Sequence, residues 1–188
     1  MNNMEKSNNP SAVRSRKMIA DALINLMMQK EYSKITITDI ANEAQIARKT
    51  FYRHFYSLDD ILDEYIQILC MDYIDTISKV QITNIIDYAE HYFQFWQQHM
   101  HFLSLLSKHR LLIFILRKYE ELIPYIHNYL SCQLQHGTTE FEYYTAFTSG
   151  AFWMLLCKWV ERGGKEQPKV MANAFQTFFL EMTKECKK

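Results

Sequence analysis

Apolar side chains return along this chain at three- and four-residue intervals, the period of helices that each bury one face. The first such stretch, about Ser11 to Gln29, sets Ile19, Ala20, Leu23, Ile24 and Met27 on one side. Two short helices follow within residues 36–55. In the first of them Ile37, Ile40, Ala41 and Ala44 share a face, with Thr36 and Thr38 placed to cap its start. Ile46 follows the turn as a core plug, and Phe51 and Phe55 make an i, i+4 apolar pair on the second helix. Ser57 with Asp60 reads as a capping box for a fourth helix running to about Val80. Beyond it the pattern predicts helices over about 82–99, 100–107 and 108–135, the last kinked or restarted at Pro124. His136-Gly137 closes that segment, Thr139 with Glu142 caps a helix to Arg162, and Gly163-Gly164 stops it. Pro168 opens a final helix ending near Lys184. Residues 1–10 are polar and asparagine-rich, and are expected to form a disordered arm that is neither signal peptide nor transit sequence. The whole is an all-α chain of about nine helices, with prolines and glycines too few for a loop-rich β architecture.

The short helix after Ile46 carries the candidate chemistry. With Phe51 and Phe55 turned inward, Arg48, Lys49, Thr50, Tyr52, Arg53 and His54 face out. A solvated surface helix ordinarily mixes acids and bases, yet no acid occurs between Glu43 and Asp59. A purely donor-rich face suits phosphate oxygens and the acceptor-rich edge of guanine. Two short helices joined by a tight turn, the second cationic, have the layout of a helix-turn-helix whose second helix enters the DNA major groove.

The run Thr36-Ile37-Thr38-Asp39-Ile40-Ala41, the triplet Thr50-Phe51-Tyr52, and His54-Phe55 ahead of an acidic helix start together resemble the TetR/AcrR family of bacterial transcription regulators. The resemblance runs from about Arg14 to Tyr65; beyond that it rests on helical pattern and size alone. It implies a helix-turn-helix DNA-binding domain over residues 11–57 and an effector-binding and dimerisation domain over 58–188. It also implies that Thr50, Tyr52 and His54 anchor to phosphates. Arg48 and Lys49 would approach base edges, with Arg53 as a further candidate. Thr36 would hold a phosphate at the start of the preceding helix. Three positions depart from the family's pattern. Gln45 stands where glycine is usual and would adopt a left-handed backbone at some cost. Ala47 replaces the usual hydroxyl cap, and Leu58 replaces a lysine that would contact phosphate. Together these suggest modest affinity for DNA, or a register set by other contacts.

Formal net charge is zero, which at first sight argues against a nucleic-acid ligand. The distribution reverses that reading. Residues 1–56 hold nine Lys/Arg against five Asp/Glu, 9 − 5 = +4, and residues 57–188 hold twelve against sixteen, 12 − 16 = −4. A basic head on an acidic body fits contact with DNA at one end. Arg14, Arg16 and Lys17 at the start of the first helix either reach phosphates or form a solvated basic end. Cys70, Cys132, Cys157 and Cys186 are scattered without paired spacing and read as reduced thiols of a cytoplasmic protein. The aliphatic and aromatic run Leu111 to Leu116 is far too short to span a bilayer, so no membrane partner is expected.

No phosphate-cradling glycine loop or nucleophile elbow is present, so an enzyme is not expected. Nor is a cofactor. His127, Cys132 and His136 could share a helix face and bind zinc, but no fourth ligand lies nearby, and no metal site is assigned. The body is rich in aromatics, which form either a plain core or the lining for a small apolar or amphipathic effector. The lining candidates are Trp96, Phe102, Phe114, Tyr125, Phe147 and Trp153. The last two long helices are apolar over so wide an arc that they bury two sides, in a core or against a second copy. Ala151, Met154, Phe175, Phe178, Phe179 and Met182 are the candidates for a homodimer interface. A dimer would present two recognition helices to a palindromic operator in double-stranded DNA, as a ligand-responsive repressor does. Two other functions are compatible with the pattern: a DNA-binding regulator controlled by a protein partner, and a helical small-molecule carrier with an incidental basic head.

Overall fold

Asn9 starts the first helix. Its side-chain oxygen accepts from the Ser11 amide at 3.0 Å, and Pro10 occupies the first helical position, where an amide would lack a partner anyway. The structure, a computed structural model, describes residues 9–127 and 137–183, and among these the side chains outside 123–127 and 178–183. Among the described residues the regular elements are all helical. The chain divides into two compact units, Met1–Gln67 and Ile68–Lys188.

In the first unit α1 spans Pro10–Gln29. Its buried stripe is Ile19, Ala22, Leu23, Leu26 and Met27, with Ala20 and Ile24 only half-buried. Ile19, Leu23 and Met27 are thus buried as their spacing predicts, while Ala22 and Leu26 take the places expected for Ala20 and Ile24, because α1 is apolar over more than one face. A single 3-10 turn, Tyr32–Lys34, leads into α2 (Ile37–Glu43) and α3 (Arg48–Tyr52). Ile40, Ala41, Ala44, Phe51 and Phe55 are buried, and the Phe51 and Phe55 rings lie 6.2 Å apart as their spacing predicts.

Helix α4 (Leu58–Ser78) is opened by a reciprocal cap. Ser57 Oγ accepts from the Asp60 amide at 3.1 Å, while the Asp60 carboxylate accepts from the amides of Tyr56 and Ser57 at 2.8 and 3.0 Å. The unit boundary falls within α4. Its first turns are held in the first unit by buried Ile61, Leu62 and Ile66 and by two polar ties. The Tyr32 hydroxyl donates to Asp59 at 2.6 Å, and Arg16 pairs with Glu64 at 3.1 Å.

The second unit continues with α5 (Ile85–Gln98), α6 (Met100–Lys108), α7 (Ile113–His127), α8 (Thr139–Glu161) and α9 (Pro168–Thr183). Asn84 caps α5 through the amides of Ile86 and Asp87. Arg110, at φ +62°, turns the chain before α7, so that helix begins at Ile113 rather than near Lys108. It then continues through Pro124 to His127; the remainder of the predicted segment lies outside the described residues. The cap of α8 is Thr138, one residue before the expected position, its hydroxyl accepting from the Phe141 amide at 3.2 Å. Gly163 and Gly164 end α8 at φ +83° and +63°. At Gly164 a Cβ would run into the Met100 side chain, so glycine is required twice over. Helix α5 packs on α9, and α8 on α6 and α7. Trp96, Trp159, Tyr73, Tyr92, Phe93 and Phe175 are fully buried among them.

Candidate nucleic-acid interface

Three backbone devices set the angle between α2 and α3. At its start, α2 is closed by a capping box: Thr36 Oγ1 accepts from the Asp39 amide at 3.1 Å, and Asp39 accepts from the Thr36 amide at 2.7 Å. At its end the Ile46 amide donates to Ala41 at 2.9 Å and the Gln45 amide to Asn42 at 3.1 Å, a Schellman closure. That closure requires a left-handed residue, and Gln45 supplies it at φ +53°. The third device is Ala47, which begins α3 with no side-chain cap, as its methyl dictates.

The recognition face follows from these. Arg48, Lys49, Tyr52 and Arg53 are exposed, and Thr50 is half-buried. The Arg48 guanidinium reaches the Tyr52 hydroxyl at 3.5 Å, holding this i, i+4 pair on one side. Thr36 is exposed, with its hydroxyl donating to Asp39 at 2.7 Å. His54 is placed differently. It is half-buried, and its Nε2 has neither exposed surface nor hydrogen-bond partner. Burial pushes the imidazole below its ordinary pKa, with the charges of Arg53 and Arg16 adding to the shift. It therefore adds no positive charge to the face near neutral pH.

The charges of this unit sort into two groups. Lys30 pairs with Asp39 at 2.7 Å, Lys34 with Glu31 at 2.9 Å, and Arg16 with Glu64. The Lys30 ammonium, ahead of the Thr36 bonds, draws the Asp39 carboxyl down to about 2. By contrast Arg48, Lys49 and Arg53 have no carboxylate partner among the described residues. Of the cations at the start of α1, Arg14 and Lys17 stay exposed, whereas Arg16 is drawn inward. Which cations are paired could not be read from local sequence, since Arg16 and Glu64 stand far apart in it.

In the second unit the predicted lining residues part company. Trp96, Phe102 and Phe114 are buried; Trp153 is half-buried, its Nε1 donating to the Leu112 carbonyl at 3.3 Å. Phe147 is 48% exposed, on the α8 face it shares with Tyr143 and Met154, so it does not line the interior. The Tyr125 side chain lies outside the described residues. Among the dimer candidates Met154 is exposed and Ala151 half-buried. Phe175 is a correction: it is buried within the unit, stacked on Phe152 at 4.7 Å, because α9 turns that edge toward α5. Phe178, Phe179 and Met182 have side chains outside the described residues, as do Cys132 and His136.

The interior also holds tyrosines that the aromatic count did not single out as a group. Tyr88 and Tyr92 stand one turn apart on α5, facing Tyr73 of α4 and Tyr119 of α7. The available signal was tyrosine in place of phenylalanine on a buried face, since a buried phenol carries a hydroxyl that needs a partner. Among the described residues no group of three or more His, Cys, Asp or Glu could hold a metal ion, and no helix is long and apolar enough to cross a membrane.

Comparison with known proteins agrees with this architecture. Residues 19–65 match the family described as bacterial regulatory proteins of the TetR family, and residues 83–181 match a transcriptional regulator C-terminal region. An uncharacterized HTH-type transcriptional regulator of Bacillus subtilis, YxbF, is 26% identical over 181 residues, covering 93% of this chain and 47% of its own length. The activator of the dhaKLM operon in Lactococcus lactis, DhaS, is 37% identical over 60 residues, 32% of this chain and 29% of that protein. The chain thus spans about half, or less, of the length of these curated relatives. In fold it is similar to the fatty acid degradation regulator FadR of Bacillus halodurans, with a TM-score of 0.59 at 17% identity over 96% of this chain and 100% of that one. It is likewise similar to a solved DhaS structure, with a TM-score of 0.53 at 18% identity over 92% and 97%. The matches to both ends of the chain, together with the capped helix-turn-helix and its unpaired cations, place this protein in the TetR family of bacterial transcriptional regulators.

Proposed function

We propose that the protein is a cytoplasmic regulator that binds a palindromic operator in double-stranded DNA as a homodimer, its affinity set by a small effector in the second unit. One observation carries the reading: Arg48, Lys49 and Arg53 share the exposed side of α3 with no carboxylate to neutralise them, while the neighbouring Lys30, Lys34 and Arg16 are paired. A helix so charged docks where phosphates and guanine acceptors supply the missing partners. Arg48 and Lys49 read base edges, with Arg53 beside them, and Thr50, Tyr52 and Thr36 set the register on phosphates. His54, half-buried and with Nε2 turned away from solvent, adds to the phosphate contacts through the exposed edge of its ring. The exposed stripe Tyr143, Phe147 and Met154 on α8, with Val170 on α9, provides the surface for the second copy.

The named relatives include an operon activator, and the two-state logic serves repression and activation alike. The face predicts its own salt dependence. Removing one phosphate-binding side chain lowers the slope of log affinity against log salt by about 1. Lys49→Ala, which takes a cation from the base-reading pair, is expected to weaken binding and relax base preference, and Arg53→Ala, beside that pair, to weaken binding and flatten the salt dependence by no more than that amount. Arg48→Ala is expected to relax base preference as well. Affinities measured by fluorescence anisotropy across a salt series would check this, and a salt-independent affinity would leave the carrier function in its place.

A further inference from the structure

The turn between α2 and α3 is strained at a residue whose side chain the fold does not otherwise use. Gln45 sits there at φ +53°, in the left-handed region that a residue with a Cβ enters at a penalty. Its side chain is exposed, so it buries little apolar surface. Among the described residues its amide makes no hydrogen bond; only the backbone is engaged, the Gln45 N–H donating to the Asn42 carbonyl at 3.1 Å. Glycine would close the same turn without the penalty. Backbone strain with no compensating contact inside the fold points to a contact made with a ligand.

What stands around the turn gives the ligand's chemistry. In the run Ala44-Gln45-Ile46-Ala47, Gln45 is the one residue whose side chain carries a polar group. Ile46 is half-buried, and Ala47 starts α3 without a hydroxyl. Immediately beyond stand Arg48 and Lys49, exposed and without a carboxylate partner among the described residues. The acid closest to the turn in sequence, Glu43, accepts from the Asn25 side-chain amide of α1 at 3.3 Å. A carboxamide beside two unneutralised cations, with the adjoining carboxylate engaged by α1, suits an anion that accepts hydrogen bonds, as the phosphates of DNA do. Gln45 lies ahead of α3 and not on it, whereas base edges are met by the first residues of the helix itself, so its partner is the strand backbone beside those bases. We propose that Gln45 is a further DNA contact: its side-chain amide donates to a phosphate oxygen next to the bases that Arg48 and Lys49 read, and sets the register of α3 from its leading end. This rests on the reading of α3 as the recognition helix.

The test uses the full chain and duplex DNA that it enriches from fragments of the source genome. Affinity across a salt series and the unfolding midpoint are read for the parent, Gln45→Gly, Gln45→Ala and Gln45→Lys, with Arg48→Ala in parallel. Gln45→Gly is expected to unfold at a higher temperature and yet to bind roughly tenfold more weakly, since it relieves the turn and removes the amide. Gln45→Ala keeps a Cβ in the turn, and is expected to show the same loss of affinity without the gain in stability. Neither changes the slope of log affinity against log salt, because a neutral amide displaces no counterion. Gln45→Lys is expected to bind at least as tightly as the parent at low salt and to steepen that slope by about 1. Parent-like affinity of Gln45→Gly would overturn the proposal. So would parent-like affinity of Gln45→Ala, which would assign the glycine variant's loss to a looser turn, or a Gln45→Lys slope equal to the parent's. In each of these cases a loss of binding by Arg48→Ala leaves the recognition-helix reading standing and only the Gln45 contact falls. If Arg48→Ala and every Gln45 variant bind as the parent does, or the parent enriches no common sequence, both fall.

Discussion

Gln45 holds the turn between α2 and α3 at φ +53°, a conformation glycine adopts freely and a residue with a Cβ does not. Departure from the family's usual glycine thus has a structural consequence, and the Schellman bonds at Ile46 and Gln45 keep the turn closed in spite of it. Gln45→Gly is expected to stabilise the protein by about 1 kcal/mol, as denaturant titration would measure; a loss of stability would mean the side chain makes a contribution larger than the strain. His54 makes a second residue-level prediction. Its pKa lies below the ordinary 6.5, so the unfolded chain takes up the proton first as pH falls. Stability is therefore unaffected above about 6.5 and declines as pH drops from there toward the native pKa. An NMR titration of the ring should give a midpoint below that of an unfolded peptide; a midpoint above it would contradict the burial described for Nε2.

At the level of elements, what could be read in advance divides along a physical line. Features that act within a turn of chain were legible: Thr36 as a cap candidate of α2, the Ser57–Asp60 cap, the double-glycine stop after α8 and the Phe51–Phe55 pair all depend on neighbours in sequence. The phase of a broad apolar face was not. In α1 the buried set includes Ala22 and Leu26 in place of Ala20 and Ile24, and in α9 Phe175 faces the core, not the outside. A helix apolar over most of its circumference gives its period but not its orientation, which the packing partners decide. The same holds for α8, where Phe141, Phe152 and Trp159 are buried and Tyr143, Phe147 and Met154 are left outside. Those three form a stripe along one side of the helix, and substituting Phe147 and Met154 with lysine is expected to shift the protein from dimer toward monomer in sedimentation. If the molecule stays dimeric, the interface lies on another face.

For the whole molecule, zero net charge conceals a division of labour. The first unit keeps Arg48, Lys49 and Arg53 free of carboxylates on and just after one short helix, while the second has an interior rich in buried aromatic rings. In the proposed function the exposed cations of the first unit meet DNA, and α4 runs from that unit into the second. The central claim is that α3 reads a sequence in DNA. Its most direct test is selection of bound fragments from the source genome by purified protein, with Arg48→Ala in parallel. Recovery of a palindrome with half-sites about 34 Å apart, which the variant fails to enrich, is the predicted result. Recovery of no common sequence, or of the same sequence by both proteins, would contradict it.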